Sequence, residues 1–162
     1  MQPETDEDVV FWDNLRAGRF TLQRCEECAA YQFPPGPTCW RCGGAHLSWT
    51  SVAAEMEAVV YSWTVLHKSF MKFAEMTPYM VVLGELADYP GVRILARLEE
   101  SHTQPIAIGA KLRLTWGIRD GGEPYYGWSR APAAKSAGNG ADAAGASDRN
   151  SSAHAGAASY PK

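Results

Sequence analysis

Four cysteines are the residues best placed to do chemistry in this chain. Cys25, Cys28, Cys39 and Cys42 account for all the thiols in 162 residues and read C-x2-C-x10-C-x2-C. A tetrahedral zinc takes four soft ligands at about 2.3 Å. One C-x2-C turn supplies two of them with backbone N–H groups pointing at the sulfurs, and a second turn closes the sphere. The second knuckle runs Cys39-Trp40-Arg41-Cys42-Gly43, with glycine where such a turn takes positive φ, whereas the first has Ala29 there. Pro34, Pro35 and Pro37 stiffen the connection between the knuckles. The spacing predicts a zinc site on Cys25, Cys28, Cys39 and Cys42. An iron site of rubredoxin type and a redox dithiol are the rivals; a single four-cysteine site of this size most often holds zinc. A sphere of four thiolates has no open position for water or substrate, so this zinc is expected to be structural, contributing on the order of 10 kcal/mol to folding. It also leaves no thiol over as a nucleophile.

No other group of residues makes a catalyst. The chain has no G-x-S-x-G, no phosphate-binding glycine loop and no dinucleotide fingerprint. His46, His67, His102 and His154 read as surface or packed histidines, and Glu26–Glu27 and Glu99–Glu100 as solvated pairs. The expectation is that this chain holds no catalytic residue of its own. Two features point to binding instead. The stretch from Lys68 to Met76 joins two predicted strands and is rich in Phe and Met, which makes Phe70, Phe73 and Met76 candidates for contact with a partner or ligand. Arg93, Arg97, Lys111 and Arg113 fall on the polar sides of two predicted strands. A solvated outer face is the ordinary reading of them; a surface for phosphate groups is the sharper one.

Bulk composition narrows the class of protein. The formal net charge is −3, so no electrostatic argument favours nucleic acid as the partner. No run approaches the roughly 18 apolar residues of a membrane span. The opening MQPETDEDVV is acidic and unlike a signal peptide. These features predict a cytoplasmic protein with no membrane partner, where paired cysteines serve as ligands rather than disulfides. Six tryptophans and seven tyrosines imply a large aromatic core, an interface, or both.

The elements that position these residues are predicted to be mainly β. Residues 1–19 form an N-terminal helical segment: Thr5 and Asp8 fit a capping box, Val9 to Ala17 follows, and Gly18 is a stop. Phe11 and Leu15 share its face with Trp12 beside it, and these aromatics must pack on the chain's own body or on a partner. Residues 20–49 form the ribbon. Over 50–130, alternation predicts strands at Glu57–Lys68, Tyr79–Ala87, Val92–Glu100 and Lys111–Ile118, with a short last one at Tyr125–Trp128. In the first, Val59, Tyr61, Trp63 and Val65 are expected to share one side. Five strands in that length fit a small OB-fold barrel, although periodicity does not separate it from other small barrels. Residues 131–162 are mostly Ala, Gly and Ser, and composition predicts a disordered tail.

In this order of elements the chain resembles a family that joins an N-terminal helix, a rubredoxin-like zinc ribbon and an OB-fold. The matching residues are Phe11-Trp12, Leu15 and Gly18; Leu22 to Cys28; Gln32 to Pro35; Cys39 to Cys42; and Leu47-Ser48-Trp49. In the barrel they are Val60 to Val65, Pro78-Tyr79, Gly84-Glu85-Leu86 and Ile108-Gly109 before the strand ending near Trp116. Ala29 and Trp40 depart from the glycine and proline usual in the two knuckles. The resemblance implies a non-catalytic accessory subunit of a thiolase-like enzyme. A thiolase-fold chain would carry the nucleophilic cysteine, and the complex would act on acyl-CoA thioesters by thiolysis, acyl transfer or retro-aldol cleavage. Phe11, Trp12, Phe70, Phe73 and Met76 would then be the candidates for partner or acyl-CoA contact. Two alternatives stay open: a nucleic-acid-binding ribbon/OB protein and a stand-alone acyl-CoA-binding protein.

Overall fold

The computed structural model describes residues 5–70, 75–100 and 106–131. Phe73, His102, His154 and the expected tail from residue 132 onward lie outside them.

Helix α1 spans Asp6–Arg16. It starts where the sequence places a cap: the Thr5 side chain accepts from the Asp8 N–H, and the Asp8 carboxylate accepts from the Thr5 N–H, both at 3.2 Å. Asp6, Glu7 and Asp8 face the positive end of the helix dipole. The chain leaves the helix through Gly18 at φ 79°, a left-handed turn that glycine takes without steric cost. Phe11 and Leu15 form the buried face.

Three strands, β1 (Thr21–Cys25), β2 (Tyr31–Gln32) and β3 (Leu47–Ser51), make an antiparallel sheet in the order β2-β1-β3. A buried amide network ties this small sheet to its loops. Gln32 Nε2 donates to Gln23 Oε1 at 2.8 Å and to the Thr38 carbonyl at 3.2 Å. Gln23 Oε1 also accepts from the Gly36 N–H at 2.8 Å, and Gln32 Oε1 accepts from the Trp40 N–H at 3.1 Å. Both side chains are buried, so each polar atom must find a partner inside, and the partners are the proline loop and the second knuckle.

The second sheet holds β4 (Glu57–Leu66), β5 (Tyr79–Leu86), β6 (Arg93–Arg97), β7 (Lys111–Ile118) and β8 (Pro124–Arg130). The order is β6-β5-β4-β7-β8, all antiparallel. A bridge between Leu98 and Trp128 joins its two edges, and the Glu99 N–H donates to the Trp128 carbonyl at 2.8 Å, so the sheet closes into a barrel. Inside, Val92, Ile94, Ala96 and Leu98 point inward as the alternation of that strand predicts. Trp128 is fully buried, and its indole N–H is shared between the carbonyls of Val82 (3.1 Å) and Ile94 (3.3 Å). The ring packs against Gly84, where an added Cβ would come within 2.5 Å of it.

The first barrel strand departs from the expectation. Val59, Tyr61, Trp63 and Val65 do not share one side, because a β-bulge falls between Val60 and Ser62. Before it, Ala58 and Val60 face the core while Val59 sits opposite Glu85. After it, Trp63 lies opposite Val82 and Val65 opposite Met80, both of which are core residues. One extra residue inverts the alternation. Val59 and Tyr61 are exposed, Trp63 stays 41% exposed despite its register, and Leu95 on β6 is 60% exposed.

Helix, ribbon and barrel share one core. Phe11 packs edge-on against Phe20, Phe33 and Tyr126 with ring centroids 5.4 to 5.9 Å apart, and Phe20 lies 5.7 Å from Trp116. The Trp116 indole N–H donates to the Gly18 carbonyl at 3.1 Å. The helix therefore packs on its own chain.

Candidate functional site

The two knuckles are built alike. In the first, the Cys25 N–H donates to the Ala30 carbonyl (2.8 Å) and the Ala29 N–H to the Cys25 carbonyl (2.9 Å). In the second, the Cys39 N–H donates to the Gly44 carbonyl (2.8 Å) and the Gly43 N–H to the Cys39 carbonyl (2.9 Å). Ala29 (φ 58°) and Gly43 (φ 77°) hold the same left-handed position, so the alanine accepts a conformation that glycine adopts freely.

These turns bring all four sulfurs within 4.8 Å of one another. Cys25 and Cys42, and likewise Cys28 and Cys39, lie 3.6 Å apart. A tetrahedron of sulfurs about 2.3 Å from a central ion has edges of about 3.8 Å, so the donor set fits a soft four-coordinate metal. All four are free thiols, and Cys25 and Cys39 are buried. Without a cation the cluster resists full ionisation. The Cys42 N–H, helped by that of Arg41, lowers the Cys39 thiol to about 7. The Gly44 N–H favours the Cys42 thiolate, yet the crowded sulfurs of Cys28, Cys25 and Cys39, with burial, drive that thiol up to about 12. A divalent ion is what lets four thiolates coexist.

The other predicted site residues separate. Phe11 is 3% exposed inside the aromatic cluster, so it serves packing and presents nothing to a partner. Phe70 is 84% exposed. Trp12 and Met76 meet in a cleft of about 460 Å³, together with Arg97, Glu99, Arg119 and the tyrosines 125 and 126. Local patterns do not connect the walls of this cleft, which come from separate elements, although Trp12 and Met76 are contact candidates from the sequence. The aromatic pair at the start of β8 is a further local signal.

The supposed basic stripe is largely neutralised. Arg93 pairs with Glu85 at 2.7 Å and lies 3.5 Å over the Tyr61 ring. Lys111 pairs with Glu57 at 3.8 Å and Arg113 with Glu55 at 3.3 Å. His46 is exposed and faces Glu27 at 3.2 Å; His67 is exposed as well.

Two family models match this chain in succession. Residues 12–48 match the ChsH2 rubredoxin-like zinc ribbon domain, and residues 51–117 match the ChsH2 C-terminal OB-fold domain. The chain belongs to the ChsH2 zinc-ribbon and OB-fold family. The ribbon match contains all four cysteines; the OB-fold match ends before β8.

Among curated proteins, the chain is 34% identical over 116 residues to a probable enoyl-CoA hydratase alpha subunit of Thermomonospora curvata, covering 71% of this chain and 35% of that protein. It is 27% identical over 117 residues to the 3-oxo-4,17-pregnadiene-20-carboxyl-CoA hydratase alpha subunit of Mycobacterium tuberculosis, covering 72% and 36%. The chain thus spans about a third of the length of these curated relatives. Among solved structures, it is similar to a chain of an Ltp2-ChsH2(DUF35) aldolase, with a TM-score of 0.66 and 25% identity, covering 80% of this chain and 98% of that one. A DUF35-family protein of unknown function from Sulfolobus solfataricus shares the fold at a TM-score of 0.51 and 15% identity, covering 67% and 77%. Among the described residues, no helix is long and apolar enough to cross a membrane.

Proposed function

We propose that this chain is a non-catalytic, zinc-binding part of an enzyme complex that acts on acyl-CoA thioesters in the cytoplasm. Its partner is a thiolase-fold chain that supplies the reactive cysteine, and the reaction is thiolysis, acyl transfer or retro-aldol cleavage. The observation that carries this reading is the likeness to the aldolase chain across 80% of the sequence, spanning ribbon and barrel together. The relatives named as hydratase subunits add support for acyl-CoA chemistry.

The residues divide the work. Cys25, Cys28, Cys39 and Cys42 hold the zinc, which supplies a closed cross-link between two turns and no reactive position. The buried amides of Gln23 and Gln32 then fix the proline loop around it. Exposed apolar side chains remain for a partner: Trp40 on the ribbon, 69% exposed, and Tyr61 and Leu95 on the outside of the barrel.

The test is gentle affinity purification of the full chain from its native cells at natural abundance, reading zinc content and co-purifying proteins together. One zinc per chain and a stoichiometric thiolase-fold partner, with CoA-thioester turnover by the complex, is the expected result. Recovery with nucleic acid alone, or as a lone chain that binds acyl-CoA, overturns it. A partner that hydrates enoyl-CoA without cleaving a carbon–carbon bond overturns the thiolase assignment and leaves the acyl-CoA one standing.

A further inference from the structure

The guanidinium of Arg97 is the anomaly of the barrel surface. Arg93, Lys111 and Arg113 each have a carboxylate, whereas Arg97 has none among the described residues. Its Nε is buried without a hydrogen-bond acceptor, as is that of Arg113, but Arg113 has Glu55 at 3.3 Å for its terminal nitrogen. One terminal nitrogen donates to the Met76 sulfur at 3.7 Å, a weak acceptor for a strong donor. A guanidinium whose one side-chain acceptor is a thioether keeps donor capacity for a stronger acceptor.

Arg97 lines the cleft that also holds Trp12, Tyr125 and Tyr126. The other charged residues there are Arg119, Glu99 and Glu123. Arg119 pairs with Glu99 at 3.4 Å and stacks 4.5 Å over the Tyr125 ring, and Glu123 is exposed at the rim. Two arginines and two glutamates give the lining a formal charge of zero, and Arg97 is the cation there without a carboxylate among the described residues. The volume of about 460 Å³ falls within the roughly 300–1,000 Å³ of small-molecule sites, and apolar walls with a few convergent polar groups are their usual lining. A planar fork with one charge matches a carboxylate; a phosphate dianion would keep charge uncompensated beside Glu99 and Glu123. Flat rings on the walls suit a flat apolar body.

We propose that this cleft is a binding site for a monocarboxylate carried on a planar apolar ring system, with Arg97 holding the carboxylate and Trp12, Tyr125 and Tyr126 the ring. The site is distinct from the metal centre and needs no partner chain and no CoA thioester, so its test can fail or succeed apart from the function proposed above.

The experiment is calorimetric titration of the zinc-loaded full chain with 2-naphthoate and with 2-naphthalenemethanol, which keeps the ring and loses the charge. Saturable 1:1 binding of naphthoate, at least tenfold tighter than the alcohol, is expected. Arg97→Met should bring naphthoate down to the alcohol's affinity, Trp12→Ala should weaken both, and Arg113→Met should change neither. No saturable binding, equal affinity for acid and alcohol, or an Arg97→Met variant with full zinc content and unchanged naphthoate affinity would each overturn the assignment. The acid-against-alcohol comparison on the unaltered chain decides the matter even if the Arg97 variant does not fold.

Discussion

The ribbon and the barrel are held together by opposite means. The ribbon's sheet has three short strands; apart from Leu22, which joins the shared core, the side chains it buries are Thr21, two glutamines and a thiol. The barrel's interior is hydrocarbon around one tryptophan, closed by backbone bonds at both edges. A small sheet with little apolar core needs a cross-link from outside the hydrophobic effect, whereas a closed barrel does not. The aromatic cluster of Phe11, Phe20, Phe33 and Tyr126 is where the two meet.

Metal removal breaks the comparison most severely. Chelation should withdraw a stabilisation on the order of 10 kcal/mol from the ribbon alone. Hydrogen exchange should then show the amides of β1, β2 and β3 exchanging freely while those of β5 and β6 stay protected. Loss of protection in both at once would mean that the barrel depends on the ribbon. The same loss follows acidification. Metal binding must displace the proton from Cys42, whose thiol stands at about 12 without an ion. Falling pH therefore favours the protonated, metal-free cluster, and zinc affinity should drop about tenfold per pH unit for each proton displaced. A zinc-indicator titration across pH 5 to 8 would read it.

Next in size is Trp128→Ala. It removes the buried ring and its shared hydrogen bond, and chemical denaturation should show a loss of about 3–5 kcal/mol with the zinc content unchanged. Its counterpart in the ribbon is Gln32→Leu, which strips acceptors and donors from Gln23, Thr38 and Trp40. A loss of about 1–3 kcal/mol is expected, together with faster zinc release to a competing chelator. The smallest change sharpens the comparison of the two knuckles. Ala29→Gly should stabilise by about 1 kcal/mol, since alanine pays a steric penalty at positive φ that glycine does not. A thermal melt of the zinc-loaded chain reads the gain; no gain would mean the alanine methyl contributes packing that offsets the strain.

What could be read in advance was whatever depends on neighbours along the chain. The cap of α1 at Thr5 and Asp8, the knuckles, and the strands at Tyr79–Leu86 and Lys111–Ile118 all follow from local spacing and alternation. What escaped depends on distant residues. The bulge at Tyr61 reverses a facing that alternation alone predicts to continue. Phe11 is buried because Phe20, Phe33 and Tyr126 arrive from elsewhere in the chain. Trp12 and Arg97 come to one cleft only when the helix docks beside β8. The four-cysteine cluster was legible because its members lie within one short segment.

Tyr126 belongs to two neighbourhoods at once. Its ring touches Phe20 and Phe33 of the ribbon side and also forms a wall of the Arg97 cleft. One face of the cleft is therefore set by packing against Phe20 and Phe33, so the shape of that wall is inherited from side chains that never touch the cleft.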